Sequence, residues 1–326
     1  MHPELCALKN KRYYTEFLLQ DCYVHLGDIY RYTAVADNPK LKKTYLQQAQ
    51  LYYKEASSID KSKGQPYNQM AILYCSKAEF FHVIFYWCKA LDAKYPFQPA
   101  QQNLTKQLEK CLGRPLLDVA SSLASTKNSL PNKRIEDAKK YFLRSFARAY
   151  LSKVNKMDHC LSLQDFLEVN KLFAKVTIRS KNLGWFYLKV SYLYIWLHCS
   201  NNITEQNKKM LIDALENFLV IMITGRTELE VDRLMPAIRL VIEWLDKNEK
   251  TETMENLANT FYHRFNTNDN ANLYAGNLRI ALSEGEEILG MSSFEKVSKS
   301  LVYEKYTDVN TVQAEKCIIY WYLGFY

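Results

Sequence analysis

Glycine and proline are scarce in this sequence, whose 326 residues include 9 glycines and 8 prolines. Because these two residues supply most turns and helix breaks, their scarcity excludes collagen-like and loop-rich designs and disfavours β-sandwiches. Hydrophobic residues make up 48% and aromatic residues 13% of the chain, enough to fill one large core or two medium ones. We therefore predict an all-α protein.

Long hydrophobic runs are also missing. The most apolar stretch, residues 211–224, is interrupted by Asp213, Glu216 and Asn217, so we expect no transmembrane helix and no membrane partner. The first ten residues contain Pro3 and Glu4 and lack the apolar core of a signal peptide. We expect a soluble protein located in the cytoplasm, with or without shuttling to the nucleus.

Motifs of catalytic and metal sites are absent as well. The eight cysteines and six histidines are scattered, with no Cys-x-x-Cys pair and no cluster at metal-ligand spacing. The sequence has no glycine-rich phosphate loop and no Gly-x-Ser-x-Gly or His-Glu-x-x-His motif. We predict a protein that is not an enzyme, uses no cofactor and keeps its cysteines reduced.

Positive charge is concentrated in the first half of the chain. Residues 1–160 carry a net charge of about +11 and residues 161–326 about −3, within a total of +8. A basic half suits an anionic partner, which would be a nucleic acid or a phosphorylated or acidic peptide. A lysine-rich helical surface that is merely solvated would give the same charge.

An internal repeat of tetratricopeptide type occupies the first hundred residues. Two copies, each of two helices, share the same spacing of large and small residues, and the first copy has ten extra residues between its helices. The aligned positions are Tyr23, Leu26, Gly27, Tyr30, Ala49, Tyr53 and Ala56 in the first copy and Tyr67, Met70, Ala71, Tyr74, Val83, Trp87 and Ala90 in the second. Two repeats are too few for a stable solenoid, so flanking helices must complete the stack.

Apolar periodicity predicts further helices along the rest of the chain. They span residues 98–112, 135–154, 166–179, 183–198, 205–223, 228–245, 252–265 and 310–326. Pro236 is expected to kink the sixth of these or to mark its start. Because the helices become longer and nearly neutral beyond residue 160, we divide the chain there, into domains 1–160 and 161–326.

A basic stripe runs along the helix predicted over residues 135–154. Lys140, Arg144 and Arg148 are four residues apart and therefore share a face. This stripe is either a solvated surface or one wall of an anion site.

The segment 24–34 holds the most informative polar residues. If Tyr23, Leu26, Gly27 and Tyr30 form the packed stripe of the first repeat, an adjacent stripe contains Val24, Asp28, Arg31 and Tyr32. In tetratricopeptide stacks that second stripe lines the concave groove.

In that groove Arg31 could bind a phosphate through bidentate hydrogen bonds, with Asp28 one turn away to orient it. The equivalent stripe of the second repeat contains Asn68, whose amide could hold the backbone of a ligand. Alternatively, Asp28 and Arg31 are an ordinary surface ion pair.

Several segments resemble a known family. Gly27-Asp-Ile-Tyr-Arg-Tyr32 is similar to the Gly-Asp-Tyr-Tyr-Arg-Tyr segment of 14-3-3 proteins, whose Arg and second Tyr belong to the phosphoserine pocket. A wider resemblance is to the 14-3-3-like adaptors of nonsense-mediated mRNA decay, the SMG five/six/seven family and its SMG-seven branch in particular. The segments that carry it are His25-Leu-Gly-Asp-Ile-Tyr-Arg-Tyr32, Gly64-Gln-Pro-Tyr-Asn-Gln-Met-Ala-Ile-Leu73, Phe85-Tyr-Trp-Cys-Lys89, Lys94-Tyr-Pro-Phe97, Asn103-Leu104 and Ala149-Tyr-Leu-Ser-Lys153.

This resemblance implies a 14-3-3-like, tetratricopeptide-containing domain that binds phosphopeptides, followed by a helical-hairpin domain. The implied partners are the phosphorylated up-frameshift RNA helicase, an SMG-five-like paralogue in a heterodimer, and the mRNA decay machinery. Arg31 takes the place of the family's phosphate-binding Arg. No position matches the family's second phosphate-binding residue, a Lys, for which Lys9, Lys11 or Arg12 could substitute.

Two alternatives to a phosphopeptide adaptor remain. The basic half could bind RNA or another single-stranded nucleic acid, although the repeat commits many of its aromatic residues to packing. A purely structural scaffold that only holds a paralogue is the other alternative.

Overall fold

The described regular structure is helical, as the composition predicts. The computed structural model describes residues 3–36, 39–113, 131–152, 163–176 and 181–247. Ten helices lie within these ranges: α1 (Pro3–Ala36), α2 (Lys42–Ile59), α3 (Gln65–Ser76), α4 (Phe80–Asp92), α5 (Pro99–Leu112), α6 (Pro131–Leu151), α7 (Leu163–Ala174), α8 (Lys181–Cys199), α9 (Glu205–Ile223) and α10 (Glu228–Lys247). The expected helices beyond residue 247 lie outside the described residues.

The chain folds into two compact units, and the division lies between Gln107 and Leu108. In the first unit α1 packs on α2, α2 on α3, and α3 on α4, which is the order of two consecutive helical hairpins. In the second unit α6 packs on α7, α7 on α9, and α8 on α10. The predicted boundary near residue 160 falls between α6 and α7, and it stays a prediction.

The interface between α1 and α2 depends on a glycine. A Cβ atom at Gly27 would come within 2.6 Å of Cδ1 of the Tyr53 ring, so the two helices approach too closely for any side chain there. Tyr30 stacks on Tyr52 beside this point, with ring centroids 5.3 Å apart. The small residue and the aromatic rings therefore fit together as the repeat pattern predicts.

The buried face of α1 differs from the predicted one by a shift around the helix. Val24, which we expected in the groove, is 1% exposed, whereas Leu26, which we expected in the core, is 38% exposed. The buried residues of α1 include Gln20, whose Nε2 donates hydrogen bonds to the carbonyl oxygens of Ala56 and Asp60. An amide can face the core here because it caps backbone groups near the end of α2.

Backbone hydrogen bonds close the open end of the second hairpin, which consists of α3 and α4. The Gly64 N–H donates to the Tyr95 carbonyl oxygen at 2.9 Å, and the Tyr95 N–H donates to Ser62 at 2.8 Å. A Cβ atom at Gly64 would lie 2.6 Å from the Phe97 nitrogen. Two of the segments that carry the family resemblance, 64–73 and 94–97, thus meet at one point.

The second unit has a core rich in aromatic residues. Phe173 and Phe218 pack edge to face at 5.3 Å, and Tyr187 stacks on Phe218 at 5.5 Å. The buried Arg226 donates hydrogen bonds to the carbonyl oxygens of Phe173 and Val176 at the end of α7. Pro236 lies inside α10, which continues through it, so Pro236 does not mark the start of the helix.

Candidate functional site

A network of hydrogen bonds joins α1, α2 and α3 around Asp28. Arg31 Nη2 and the Tyr53 hydroxyl both donate to Asp28 Oδ1, at 3.0 and 2.6 Å. Arg31 Nε also donates to the Tyr53 hydroxyl at 3.1 Å, and Gln69 Nε2 donates to Asp28 Oδ2 at 3.0 Å. Asp28 therefore holds Arg31 from α1, Tyr53 from α2 and Gln69 from α3 in a fixed arrangement.

The Arg31 guanidinium is partly withdrawn from water. The side chains of Arg31 and Asp28 are 15% and 19% exposed, while Tyr53 is fully buried. Arg31 thus lies at the edge of the helix interface rather than clear of it, which corrects the expectation of a separate groove stripe. The exposed ring of Tyr32 covers one face of the guanidinium, with the Cζ atom 4.2 Å from the ring centroid.

Hydrogen bonding keeps this guanidinium charged. Burial lowers the pKa of Arg31, but the hydrogen bonds with Tyr53 and Asp28 outweigh burial and raise it. The pKa of Tyr53 is also raised, first by burial and then by its hydrogen bond to Asp28. The site therefore presents a permanent cation beside a neutral phenol.

Donor capacity remains at Arg31 after the contacts within the network. A guanidinium has five N–H groups, and the bonds to Tyr53 and Asp28 use two of them. Tyr32 stacks on the face of the guanidinium and also forms a side-chain hydrogen bond with Arg31, which still leaves N–H groups unused. An oriented cation with N–H groups along one edge can bind a tetrahedral anion through two parallel hydrogen bonds.

Asn68 lies in the interior rather than beside Arg31. Its side chain is 4% exposed, and its Oδ1 accepts a hydrogen bond from Trp87 Nε1 at 3.2 Å. The prediction placed Asn68 in the groove because the repeat alignment assigned it to the same stripe as Arg31. The buried indole N–H needs an acceptor, and Asn68 supplies it.

Two residues of the network were not among the predicted site residues. Tyr53 was assigned to packing alone, and Gln69 was passed over in favour of its neighbour Asn68. Gln69 Oε1 is buried and accepts no hydrogen bond from the described residues. Both residues become recognisable once the hairpins are stacked, because Tyr53 and Gln69 then face the Asp28–Arg31 pair.

The basic stripe of α6 belongs to the second unit. Arg148 Nη1 pairs with Asp165 Oδ1 of α7 at 3.2 Å, and Lys140 Nζ lies 3.7 Å from Asp137 Oδ1. Arg144 Nε is buried and has no hydrogen-bond partner among the described residues. Arg148 therefore connects α6 to α7, whereas Lys140, at the other end of the stripe, is exposed to solvent.

Other kinds of site are not seen in the described part of the chain. Within residues 3–247, gaps excluded, no group of three or more His, Cys, Asp or Glu side chains could hold a metal ion. None of the described helices is long and apolar enough to cross a membrane. The side chains of Lys9, Lys11 and Arg12 fall outside the described residues.

Comparison with known proteins gives a family and several relatives. A family model described as the Est1 DNA/RNA binding domain matches residues 49–291. The chain is 30% identical over 248 residues to the zebrafish nonsense-mediated mRNA decay factor SMG7, a match that covers 70% of this chain and 19% of that protein. Zebrafish SMG5 is 29% identical over 89 residues, which cover 27% of this chain and 8% of that protein.

A solved structure is also similar. The Caenorhabditis elegans SMG5–SMG7 complex matches with 16% sequence identity and a TM-score of 0.41, over 90% of this chain and 56% of that chain. The match to zebrafish SMG7 spans about a fifth of the length of that relative.

Proposed function

The chain is an SMG7-like member of the family of the Est1 DNA/RNA binding domain, and on this premise we propose that it is a non-enzymatic adaptor of nonsense-mediated mRNA decay that binds phosphorylated Ser/Thr peptides. The observation that carries the proposal is the half-buried, oriented guanidinium of Arg31. Asp28 and Tyr53 hold it, Tyr32 stacks on it, and N–H groups along its edge are left for a phosphate.

A phosphate group suits this environment better than a carboxylate does. Phosphoserine carries a charge of about −1.5 to −2 at pH 7 and has three strong acceptor oxygens. Asp28 already neutralises part of the charge of Arg31, so a ligand with a single negative charge would gain little. The doubly charged phosphate gains from both the cation and the fixed donors.

The proposed ligand is a phosphorylated segment of the up-frameshift RNA helicase, and the proposed partner is an SMG5-like paralogue. Both follow from the resemblance to the SMG7 and SMG5 factors rather than from the geometry of the site. In this role the chain brings decay factors to the marked mRNA without catalysing a reaction. We place it in the cytoplasm for the same reason.

Substitution of Arg31 tests the phosphate site. Arg31→Gln keeps a donor for Asp28 but removes the charge, and we expect it to weaken phosphopeptide binding by at least about 2 kcal/mol, or about 30-fold. Fluorescence anisotropy with matched phosphorylated and unphosphorylated helicase-tail peptides measures this. Arg31→Glu is a poorer choice, because it would set a second carboxylate beside Asp28 and could unfold the network.

Lys140→Gln is the matched control, since it removes the same charge from an exposed position of the second unit. It should leave phosphopeptide affinity within about twofold of the wild-type value. Equal losses in Arg31→Gln and Lys140→Gln would show that net charge, and not the Arg31 site, determines binding.

A second candidate function is the binding of RNA or single-stranded DNA, which the description of the family model favours. The net charge of +8 is compatible with it. Stacking of bases requires exposed aromatic rings; Tyr53, Tyr67 and Trp87 are buried, whereas Tyr32 and Tyr95 are exposed. Filter binding of a labelled RNA at two salt concentrations would reveal this activity, and Arg31→Gln should not affect it more than Lys140→Gln does.

A further inference from the structure

Lys77 is a half-buried cation close to the Arg31 network. It follows the last residue of α3, and its Nζ donates a hydrogen bond to Gln50 Oε1 of α2 at 2.7 Å. Gln50 Nε2 in turn donates to the Tyr74 hydroxyl at 3.1 Å, and the ring of Tyr74 lies 5.1 Å from Lys77 Nζ. The ammonium group is therefore held in place by an amide and a ring, both of them neutral.

Some other lysines of the molecule have a carboxylate partner, whereas Lys77 has none among the described residues. Lys139, Lys171 and Lys208 each pair with a glutamate three residues earlier, at 2.6 to 2.7 Å. The carboxylate nearest to Lys77 in sequence, Glu79, pairs instead with His82 at 3.1 Å. Lys77 thus carries a positive charge that the fold withdraws from water without neutralising.

The pKa of Lys77 agrees with this description. Burial lowers it, Glu79 raises it and the neighbouring Lys54 lowers it, and the net result is a decrease. A cation whose surroundings disfavour its charge is stabilised when an anion binds beside it.

Lys77 and Arg31 are anchored to the same helix, one turn apart. Gln50 holds Lys77 and Tyr53 holds Arg31, and positions three apart on α2 lie on the same face. Gln69 of α3 reaches Asp28 of α1 across that face. The two cations therefore line one surface built from α1, α2 and α3.

We propose that Lys77 is a second anion contact of the phosphopeptide site, and that it binds an anionic side chain two residues away from the phosphorylated residue held by Arg31. This inference rests on the proposed function. The anchors on α2 are separated by about 5 Å along the helix axis. In an extended peptide, residues i and i+2 are about 7 Å apart and point to the same side, so the two spacings correspond.

The test compares three phosphoserine peptides that differ only at the position two residues away, where they carry alanine, glutamate or a second phosphoserine. Fluorescence anisotropy measures each dissociation constant for the wild type, Lys77→Gln and Lys77→Arg. We expect the wild type to gain about three- to tenfold from the second anion, with phosphoserine above glutamate. Lys77→Gln should lose that gain and should lose less affinity for the alanine peptide than for the other two peptides, whereas Lys77→Arg should retain the gain.

Lys94→Gln is the matched control. Lys94 adjoins Tyr95, which is fastened to the start of α3, whereas Lys77 lies at its end, so about 18 Å of helix separates them. At physiological salt this exceeds the screening length, and the gain from the second anion should persist in Lys94→Gln. Circular dichroism melts of all variants confirm that they are folded.

The outcomes separate the inference from the proposed function. If the wild type prefers the phosphorylated alanine peptide but gains nothing from the second anion, the inference is overturned and the proposed function stands. The same holds if the gain persists in Lys77→Gln. If the wild type does not distinguish the singly phosphorylated from the unphosphorylated peptide, the proposed function fails and the inference with it.

Discussion

Asp28 is the residue on which the candidate site depends. Its two carboxylate oxygens accept hydrogen bonds from Arg31, Tyr53 and Gln69, so one side chain fixes groups from three helices. A cation without such a partner would lose side-chain entropy on meeting a ligand, whereas Arg31 is already ordered. Asp28 lowers the net charge of the site but prepares its geometry.

Gly27→Ala tests the close approach of α1 and α2. Alanine normally stabilises the interior of a helix relative to glycine, but here the added methyl group would clash with the Tyr53 ring. We expect a loss of about 1 to 3 kcal/mol in the free energy of unfolding, measured by urea denaturation. Gly113→Ala is the control, because among the described residues its Cβ would meet only the Glu109 carbonyl oxygen, at 3.8 Å.

A gain of stability in both alanine variants would contradict the packing described for Gly27. Because Tyr53 also bonds to Arg31, the Gly27 variant should weaken phosphopeptide binding too. The Gly113 variant should not.

The sequence predicted the contacts among Asp28, Arg31 and Tyr32 better than it predicted the positions of their neighbours. The Asp28–Arg31 pair and the Tyr32 ring lie together, since a spacing of three or four residues fixes that in any helix. Asn68 and Val24 were misplaced, because a small rotation of a helix about its axis exchanges groove positions for core positions. Periodicity alone does not determine that rotation when polar residues such as Gln20 are also buried.

At the scale of elements, the α3–α4 hairpin is joined by a buried polar contact as well as by apolar packing. Trp87 of α4 is 5% exposed and donates to Asn68 of α3. The fastening of Gly64 to Tyr95 fixes the other end of the hairpin.

Trp87→Ala should destabilise the protein by about 3 to 5 kcal/mol, because it leaves a large cavity and deprives Asn68 of its donor. Tyr95→Ala removes an exposed aromatic ring and serves as the control, with an expected change below about 1 kcal/mol. Urea melts measure both. A small effect of Trp87→Ala would show that the assignment of Trp87 to the core of the repeat is wrong.

The contact between α8 and α10 predicts a dependence of stability on pH. His198 packs edge to face on Trp244 at 4.8 Å, and burial together with the nearby Lys208 lowers the pKa of His198 to about 4. The unfolded chain, with a His pKa near 6.5, binds a proton between these values that the folded chain does not bind. Stability is therefore fully present above pH 6.5 and is lost as pH falls towards 4.

The expected loss over that range is about 1 to 2 kcal/mol, discounted because the imidazole is only half-buried. Thermal melts at intervals of pH measure it. His198→Phe keeps the aromatic contact and should reduce the slope between pH 6.5 and 4. An unchanged slope in His198→Phe would contradict the assignment.

Helix positions were well predicted where a terminal signal adds to periodicity. The helix predicted over 205–223 has the bounds of α9, because Thr204 caps it by accepting a hydrogen bond from the Asn207 N–H at 3.3 Å. The helix predicted over 166–179 is α7, which begins at Leu163 and ends at Ala174. The sequence pattern did not predict this end, because Arg226 lies far along the chain and donates hydrogen bonds to the carbonyl oxygens of Phe173 and Val176.

For the whole molecule, the sequence predicted the all-α class and the family, but the organisation into units depends on contacts distant in sequence. The predicted boundary placed α6 in the first domain because the helices become longer and nearly neutral only beyond residue 160, whereas in the structure α6 packs on α7 and α8. Charge reports on solvent and partners, not on packing. The division between Gln107 and Leu108 could therefore not be found from the charge pattern.

Affinity for a single phosphate should be modest in the isolated chain. One Arg–phosphate pair at a partly wet surface implies a dissociation constant in the tens of micromolar or weaker. A heterodimer with an SMG5-like paralogue that carries a second site should bind a peptide with two well-separated phosphates about 100-fold more tightly, provided the spacer spans both sites. Light scattering and anisotropy measure complex formation and affinity.

Nanomolar binding of a singly phosphorylated peptide by the isolated chain would contradict this expectation of weak single-site binding. Absence of a complex with the paralogue at micromolar concentrations would contradict the proposed pairing.

Calorimetric titration of the chain with matched phosphorylated and unphosphorylated helicase-tail peptides, at two salt concentrations, tests the central claim most directly. We predict binding of the phosphorylated peptide only, weaker at the higher salt concentration and lost in Arg31→Gln. Equal affinity for the two peptides, or full phosphopeptide affinity in a folded Arg31→Gln variant, would contradict the account.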